Sequence, residues 1–515
     1  MSARIPRVSR RNLLAGASAA AVAAALGGCS NAMDRDTLRL IHGATGGGLK
    51  DTLDPHFPVT VPDISRVRSL YEPLFQFNDD YVVEPALAQS IESSKDAKTW
   101  TIHLRDDVTF HHGKSLTADD VQATLERAFN PDNVAPQAAE LAAVTDMSAS
   151  GPMDDLTYRL VLTEPLAIVE ELLAAYALGI IPTDFDLANP VGTGAFKADL
   201  FVPGQRSRFL KFEDYWENPA SVDELVIIDF NDDAAKVNAL LAGQIQTADN
   251  LPTYLSESIR DQGGRALISE SGNWLPFTMR VDVEPFSDVR VRQALRLLVD
   301  RQQMIDQALN GFGTLGNDLY SPFDPAYADH LPQREHDPEQ AVSLLKQAGY
   351  SDLQVEVVTS TGVGAGAVEA ANVFAQQARR NGVQVRVKKV DSSSFYGEQY
   401  LQWPFAQDFW YTRNYIPQAA QSSLSSSPYN ETHFNDPEFE DLIIRARAEL
   451  DLDIRKDLQH RAQEIEYETG GFIVWAFKQQ VDAYSQFVEG LTPSRALPMS
   501  SFLFKRARLT KGDES

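Results

Sequence analysis

The sequence predicts an α/β fold divided into more than one domain, and three observations carry that prediction. Stretches of period-two hydrophobicity alternate with stretches of helical period along most of the 515 residues. One run, 354–359 followed by 368–380 and 383–387, has the strand, helix, strand succession of a parallel unit. The length exceeds what a single hydrophobic core sustains, so two or three domains are expected.

The N-terminus reads as an export leader. Residues 1–28 hold Arg4, Arg7, Arg10 and Arg11 and no acid, and Ser9-Arg10-Arg11-Asn12-Leu13-Leu14 matches a twin-arginine signal. The apolar run from Ala15 to Leu26 is too short to span a bilayer, and Leu26-Gly27-Gly28-Cys29 reads as a lipobox. Cys29 is the sole cysteine, so it forms no intramolecular disulfide, whereas a diacylglyceryl thioether needs only this one sulfur. A mature chain starting at Cys29 would be membrane-anchored through its lipid, with 29–37 as tether. The chain carries −26 overall and −30 once the four leader arginines are removed, a surface unsuited to nucleic acid or anionic membranes.

Beyond the tether, 38–42 has a strand pattern, and the Gly43–Gly48 loop after it, with Thr45 and Gly46, can bring backbone close to a ligand. It lacks the Gly-Lys-Ser/Thr ending of a phosphate-binding loop. The most informative stretch is 99–129. Trp100, Ile102 and Leu104 alternate with Thr101, His103 and Arg105 as in a strand with one buried face. Turn residues flank 108–110, and Thr117 with Asp120 three residues on has the form of a capping box. Val121, Leu125, Ala128 and Phe129 then share one helical face. Further on, 154–164 alternates, 168–178 has helical spacing, and Gly192 and Gly194 read as turn residues. A strand is expected over 222–230 and helices over 231–246, 338–349 and 450–467. Val291, Ala294, Leu295, Leu298 and Val299 give a strong amphipathic face, 472–477 reads as a buried strand, and the tail from Lys505 reads as unstructured. The stretch from Asp408 to Pro417 is dense in aromatic and polar groups that suit a ligand cover.

The succession 99–105, Asp107, Phe110-His111-His112-Gly113 and Thr117–Val121 resembles the signature of the family 5 extracytoplasmic solute-binding proteins, the peptide, nickel and opine receptors of ABC importers. His112 replaces the aspartate usual there. Asp54-Pro55, Tyr71-Glu72-Pro73-Leu74, Asn189–Lys197, Pro285–Arg301 and Phe434–Phe439 are similar to further family elements, and Arg280 stands where most members carry Asn. The resemblance covers nearly all of 38–505. It implies a two-lobed periplasmic-binding-protein-like fold of type II, with an extra subdomain inserted in lobe 1. The expected division is lobe 1 over 38–62, 189–272 and 482–508, the inserted subdomain over 63–188, and lobe 2 over 273–481. It also implies a monomeric receptor that closes by a hinge on an oligopeptide or peptide-like solute and delivers it to ABC permease subunits. Neither catalysis, a cofactor nor a bound metal is implied. The ligand contacts expected on this basis are Thr45 and Gly46 from lobe 1, Trp274 and Arg280 at the crossing, and Trp410, Arg413, Asn414 and Tyr415 from lobe 2. Asn414 stands in place of an aspartate that in the family receives a peptide α-amine, and Thr361-Gly362 stands where dipeptide receptors carry an arginine for the carboxylate. Both departures leave longer peptides or another solute open.

One motif competes. Gly362-Val-Gly364-Ala-Gly366-Ala367 follows a strand and precedes a helix, with Asp391 beyond the next strand, as in a dinucleotide fingerprint of an exported NAD(P)-dependent oxidoreductase. Against it, only about 125 residues follow that second strand, and their composition is loop-like. Other catalytic signatures are missing. The nine histidines are scattered, and the adjacent His111 and His112 would point to opposite faces of a strand. Neither His-Glu-x-x-His nor Gly-x-Ser-x-Gly occurs, and acid pairs such as Asp119-Asp120 and Asp232-Asp233 are what an acidic surface contains.

Overall fold

The computed structural model describes residues 37–510, so the leader, Cys29 and nearly all of the tether lie outside the described residues. Lobe 1 is built on a seven-stranded sheet in the order Gly264–Ser269, Gln480–Ser485, Thr247–Ala248, Arg39–Thr45, Glu224–Phe230, Arg206–Lys211, Phe196–Val202. Arg39–Thr45 sits at its centre, parallel to Glu224–Phe230 over its whole length and to Thr247–Ala248 on the other side. This strand runs three residues past its expected end at His42. Gly43, without a Cβ, lets Ile245 and Phe230 close over it, and the turn starts only at Gly46, whose φ is +99°.

Helix Val61–Leu70, capped by Thr60 and Asp63, lies against the strands Arg39–Thr45 and Phe196–Val202. The expected start of the inserted subdomain at 63 therefore falls inside a lobe 1 helix. Arg66 on this helix is fully buried. Its guanidinium meets Asp51 at 3.0 Å, Asp63 at 3.4 Å and Asp229 at 2.5 Å, and its Nε donates to Ser207 at 3.1 Å.

The inserted subdomain holds a four-stranded antiparallel sheet, Ala88–Ser93, Thr99–Leu104, Thr157–Val161, Gly151–Asp154. Trp100, Ile102 and Leu104 are buried with Tyr158 and Leu160, as their alternation requires. Helix Ala118–Ala128 starts at Thr117, where the Asp120 carboxylate accepts from the Thr117 amide at 2.9 Å, the Thr117 hydroxyl at 3.0 Å and the Thr183 amide at 2.9 Å. The helix expected over 168–178 is instead two short turns, Val169–Leu172 and Tyr176–Leu178, separated by Ala175 in extended backbone. Where the chain returns to lobe 1, Gly192 and Gly194 do more than turn: a Cβ on either would collide with backbone of Ser69 or Leu70, and the Gly194 amide donates to the Leu70 carbonyl at 2.9 Å. His111 pins this re-entry. It accepts from the Gly192 amide through Nδ1 at 3.2 Å and donates through Nε2 to the Gly194 carbonyl at 2.9 Å, a pattern that requires a neutral ring.

Lobe 2 has a five-stranded sheet, Gln384–Val390, Gln354–Ser360, Phe405–Gln407, Phe277–Met279, Phe472–Ile473. The first three strands are parallel and the rest antiparallel. The expected strand, helix, strand unit is present, with Ala367–Arg380 as its helix. Helix Val289–Leu297 buries Val291, Ala294 and Leu295, while Arg296 beneath it donates to the carbonyls of Tyr467, Gly470 and Phe472. The strand expected over 472–477 splits, because Ala476–Lys478 leaves the sheet to pair with Gly313–Leu315. The tail is folded to 510: Arg508–Leu509 pairs with Val488–Glu489.

Two segments join the lobes, and they are paired. Lys478 donates its amide to the Asn273 carbonyl at 2.7 Å, and the Ser271 hydroxyl donates to the Lys478 carbonyl at 2.6 Å. The expected boundary at 272/273 falls on this crossing. The one at 481/482 falls inside the returning strand Gln480–Ser485.

Candidate ligand-binding site

Lobe 2 turns the carboxyl ends of its parallel strands, and hence the loops after Ser360 and Gln407, towards lobe 1, the edge at which open α/β sheets hold ligands. Trp274 begins the antiparallel neighbour of these strands and so lies at the same edge, bridged to Trp410 and to Phe477. Four rings form a column here. Tyr415, Tyr320, Trp274 and Trp410 follow one another at centroid spacings of 5.2, 5.5 and 6.2 Å, with Phe472 edge-on to Trp274. The hydroxyls of Tyr320 and Tyr415 donate to Glu466 at 2.8 and 2.7 Å, which fixes the inner end of the column. Trp274 and Tyr415 are fully buried and form a floor, while Trp410 is the outer ring.

Arg413 lies beyond Trp410, its guanidinium carbon 5.8 Å from the indole centroid. Tyr81 and Tyr176 from the inserted subdomain and Tyr429 from lobe 2 are its neighbours, and Tyr81 reaches across the lobes to donate to the Thr412 carbonyl at 3.0 Å. Glu140, an acid whose charge reaches Arg413, is engaged by Arg447 at 3.4 Å. Among the described residues no carboxylate pairs with Arg413, and its guanidinium donates no hydrogen bond. Burial pulls its affinity for a proton below that of an ordinary arginine. Such a guanidinium suits a carboxylate, which it can grip with two parallel hydrogen bonds.

Glu171, from the inserted subdomain, stands against Asn414. Burial first, and then the nearby Asp324 charge, push its carboxyl up to about 8, against the pull of the Asn414 side chain. Asn414 precedes helix Tyr415–Ser422, and its Oδ1 makes no hydrogen bond. Asp324 caps the same helix, accepting from the Tyr415 amide at 2.7 Å. Among the described residues, the site thus holds a guanidinium with no carboxylate paired to it and a carboxyl, Glu171, with no cation at salt-bridge distance.

The structure brings Trp274, Trp410, Arg413, Asn414 and Tyr415 together and leaves the other expected contacts apart. Thr45 donates to Asp233 at 2.9 Å and Gly46 is exposed at the end of the central lobe 1 strand, and among the described residues no hydrogen bond or ion pair links either to the 410–415 segment. Arg280 is misplaced at the crossing. It follows the opposite end of strand Phe277–Met279, on the order of 20 Å of extended chain from Trp274, and is held by Asp282 at 2.7 Å and by Gln402. The residues the sequence reading missed, Tyr81, Tyr176 and Glu171, come from the inserted subdomain. Tyr81 carries a local signal only in hindsight, as a left-handed residue at a hairpin tip.

The dinucleotide reading fails on its own residues. A Cβ on Gly362 would collide with Ser392, and Gly366, at φ +91°, is pressed against the Ala308 carbonyl, so these glycines serve packing. Asp391 accepts from the Ser394 amide at 3.0 Å and from the hydroxyls of Ser393 and Ser394 at 2.5 Å, leaving no free oxygen pair for a ribose.

The family described as bacterial extracellular solute-binding proteins, family 5 middle, matches residues 82–432. The glutathione-binding protein GsiB of Pectobacterium atrosepticum is 26% identical over 492 residues, covering 90% of this chain and 93% of that protein. The substrate-binding protein CtaP of Listeria monocytogenes superposes with a TM-score of 0.82 at 21% identity, over 93% of this chain and all of that one. The Helicobacter pylori binding protein DppA, solved with the peptide STSA, gives 0.73 at 21% identity over 92% of this chain and 99% of that one. Among the described residues no helix is long and apolar enough to cross a membrane. The chain belongs to the family 5 bacterial extracellular solute-binding proteins, the non-enzymatic substrate receptors of ABC importers.

Proposed function

We propose that this receptor captures an oligopeptide or peptide-like solute between its lobes and delivers it to the permease of an ABC importer. The observation that carries the reading is Arg413, a half-buried guanidinium ringed by aromatic side chains of both lobes and unpaired with any acid among the described residues. It suits a solute carboxylate, and Glu171, beside Asn414, suits an ammonium, the two end groups of a peptide. The relatives named for glutathione and for the peptide STSA support that class.

Closure would use the paired crossing segments at 271–274 and 478 as its hinge, with Tyr81 docking on Thr412 when the lobes meet. A solute that touches both lobes favours the closed arrangement by its differential contacts. Twin-arginine export and lipidation of Cys29 would tether the receptor, as a monomer, to the outer face of the cell membrane or in the periplasm.

Isothermal titration against glutathione and free tri- to pentapeptides, with X-ray scattering on the same samples, tests the reading. Saturable binding with a fall in radius of gyration is expected, and no response to any member of the panel overturns it. Mass spectrometry of the membrane fraction tests the anchor: the N-terminal peptide should start at a diacylated Cys29, and Cys29→Ala should appear in the soluble fraction.

A further inference from the structure

Strand Gln384–Val390 is the outermost of the lobe 2 sheet, with Gln354–Ser360 on one side and no strand on the other. Its register is unbroken from Gln384 to Val390 and it contains neither proline nor glycine, so charge is the one device that blunts this edge. The Gln384 amide donates to the Leu353 carbonyl at 2.8 Å, and in a parallel ladder every second residue then faces the neighbour. The N–H and C=O groups of Val385, Val387 and Lys389 therefore point outward, and among the described residues nothing bonds to them. An open groove of about 910 Å³ lies at this edge, lined by Asn372, Gln376 and Arg379 of helix Ala367–Arg380 and by Val385 and Val387. The charge here is opposite to that of the molecule. Arg379, Arg380, Arg386, Lys388 and Lys389 are all exposed, and no Asp or Glu occurs from 370 to 390 in a chain of net charge −26. Among the described residues Glu356 alone pairs with them, meeting Arg386 and Lys388, so the patch keeps an excess of positive charge.

We propose that the free edge of Gln384–Val390 takes up an extended acidic segment of a partner protein as an added strand, with Arg379, Arg386, Lys388 and Lys389 meeting its carboxylates. Backbone pairing to Val385, Val387 and Lys389 supplies the attachment, and the cations supply the choice of partner. A second copy of this chain is the wrong occupant, because two such edges would set one row of cations against another. An anionic lipid surface would use the cations and leave the outward N–H and C=O groups unpaired. The surface shares no residue with the aromatic column or with Arg413, so a partner seated on it leaves the cleft free to hold a solute.

Fluorescence anisotropy on the intact receptor tests this with a dye-labelled, amidated Glu-Val-Glu-Val-Glu-Val-Glu peptide, whose blocked ends keep it from competing for a site that reads peptide termini. Its Lys-Val-Lys-Val-Lys-Val-Lys counterpart and an acidic form with every backbone amide methylated serve as controls. The acidic peptide should bind saturably and more weakly as salt is raised, hydrogen exchange across 384–390 should slow on binding, and neither control should bind. Reversing two exposed charges together, Arg386→Glu with Lys389→Glu, should weaken binding on the order of a hundredfold with the melting temperature unchanged. Equal binding of the methylated peptide, or binding without slower exchange across 384–390, overturns strand addition and leaves a charge contact only. Binding that survives the double reversal overturns the patch as its seat. Phosphatidylglycerol vesicles give the remaining outcomes: if they bind and the acidic peptide does not, the partner is a lipid surface and the proposal falls. If neither binds, the cations serve only to keep copies of the chain from pairing at this edge, and the proposal falls as well.

Discussion

Two buried arginines, Arg66 in lobe 1 and Arg413 at the cleft, answer the same burial cost in opposite ways. Arg66 is surrounded by Asp51, Asp63 and Asp229, with Ser207 on its Nε, and every part of its guanidinium is used. Arg413 has the Trp410 ring, three neighbouring tyrosines and a glutamate already engaged by Arg447. A charge whose partners are all supplied by the fold is architecture, whereas one left without them is kept for a partner that arrives. The same distinction separates Tyr415, locked onto Glu466, from its neighbour Asn414, whose Oδ1 accepts no hydrogen bond.

The sharpest way to break the comparison is to remove each guanidinium. Arg66→Met strands three carboxylates and should lower stability by about 3–5 kcal/mol, read as a loss of melting temperature or of soluble protein. Arg413→Met should leave the melting temperature unchanged or raise it, yet weaken solute binding on the order of ten- to a hundredfold, read by calorimetry. If the two variants show the same pattern, the comparison fails.

A smaller effect concerns protons. Glu171 holds its proton to about 8 in the fold, above the ordinary 4.5, so the native state binds more protons than the unfolded chain between those values. The solute-free receptor should therefore lose this part of its stability as pH rises from about 4.5 to about 8, and Glu171→Gln should remove that slope. His42, His56 and His111, lowered by burial to about 4, give the opposite slope below pH 6.5, but equally in both proteins. Denaturant midpoints across pH, compared between the two, isolate the term. The least effect is expected for Asp229→Asn. Burial already raises that carboxyl and its Oδ2 has no donor, so an amide should change stability by less than about 1 kcal/mol in either direction.

Much of the fold was legible because hydrophobic period and capping chemistry are local. Thr117 with Asp120, the face of Val291, Ala294 and Leu295, and the parallel unit around Ala367–Arg380 all hold in the structure. Misreadings came where a distant partner decides. Gly43 looked like a loop residue until Ile245 and Phe230 closed on it, and the 472–477 strand splits because Gly313–Leu315 claims its second half. The candidate site divides in the same way. Trp410, Arg413 and Asn414 are contiguous and could be read from one dense segment. Glu171 and Tyr81 arrive from the inserted subdomain, more than two hundred positions away, and no local pattern marks them. Arg280 was misassigned because sequence shows a strand but not which of its ends faces the cleft.

The column from Tyr415 to Trp410 gives the receptor an intrinsic optical signal. Trp274 and Trp410 lie 6.2 Å apart and nearly parallel, close enough for their excited states to couple, and Trp410 alone among the four touches Arg413. Emission intensity and near-ultraviolet circular dichroism should thus report occupancy of the cleft directly, without a dye or a label.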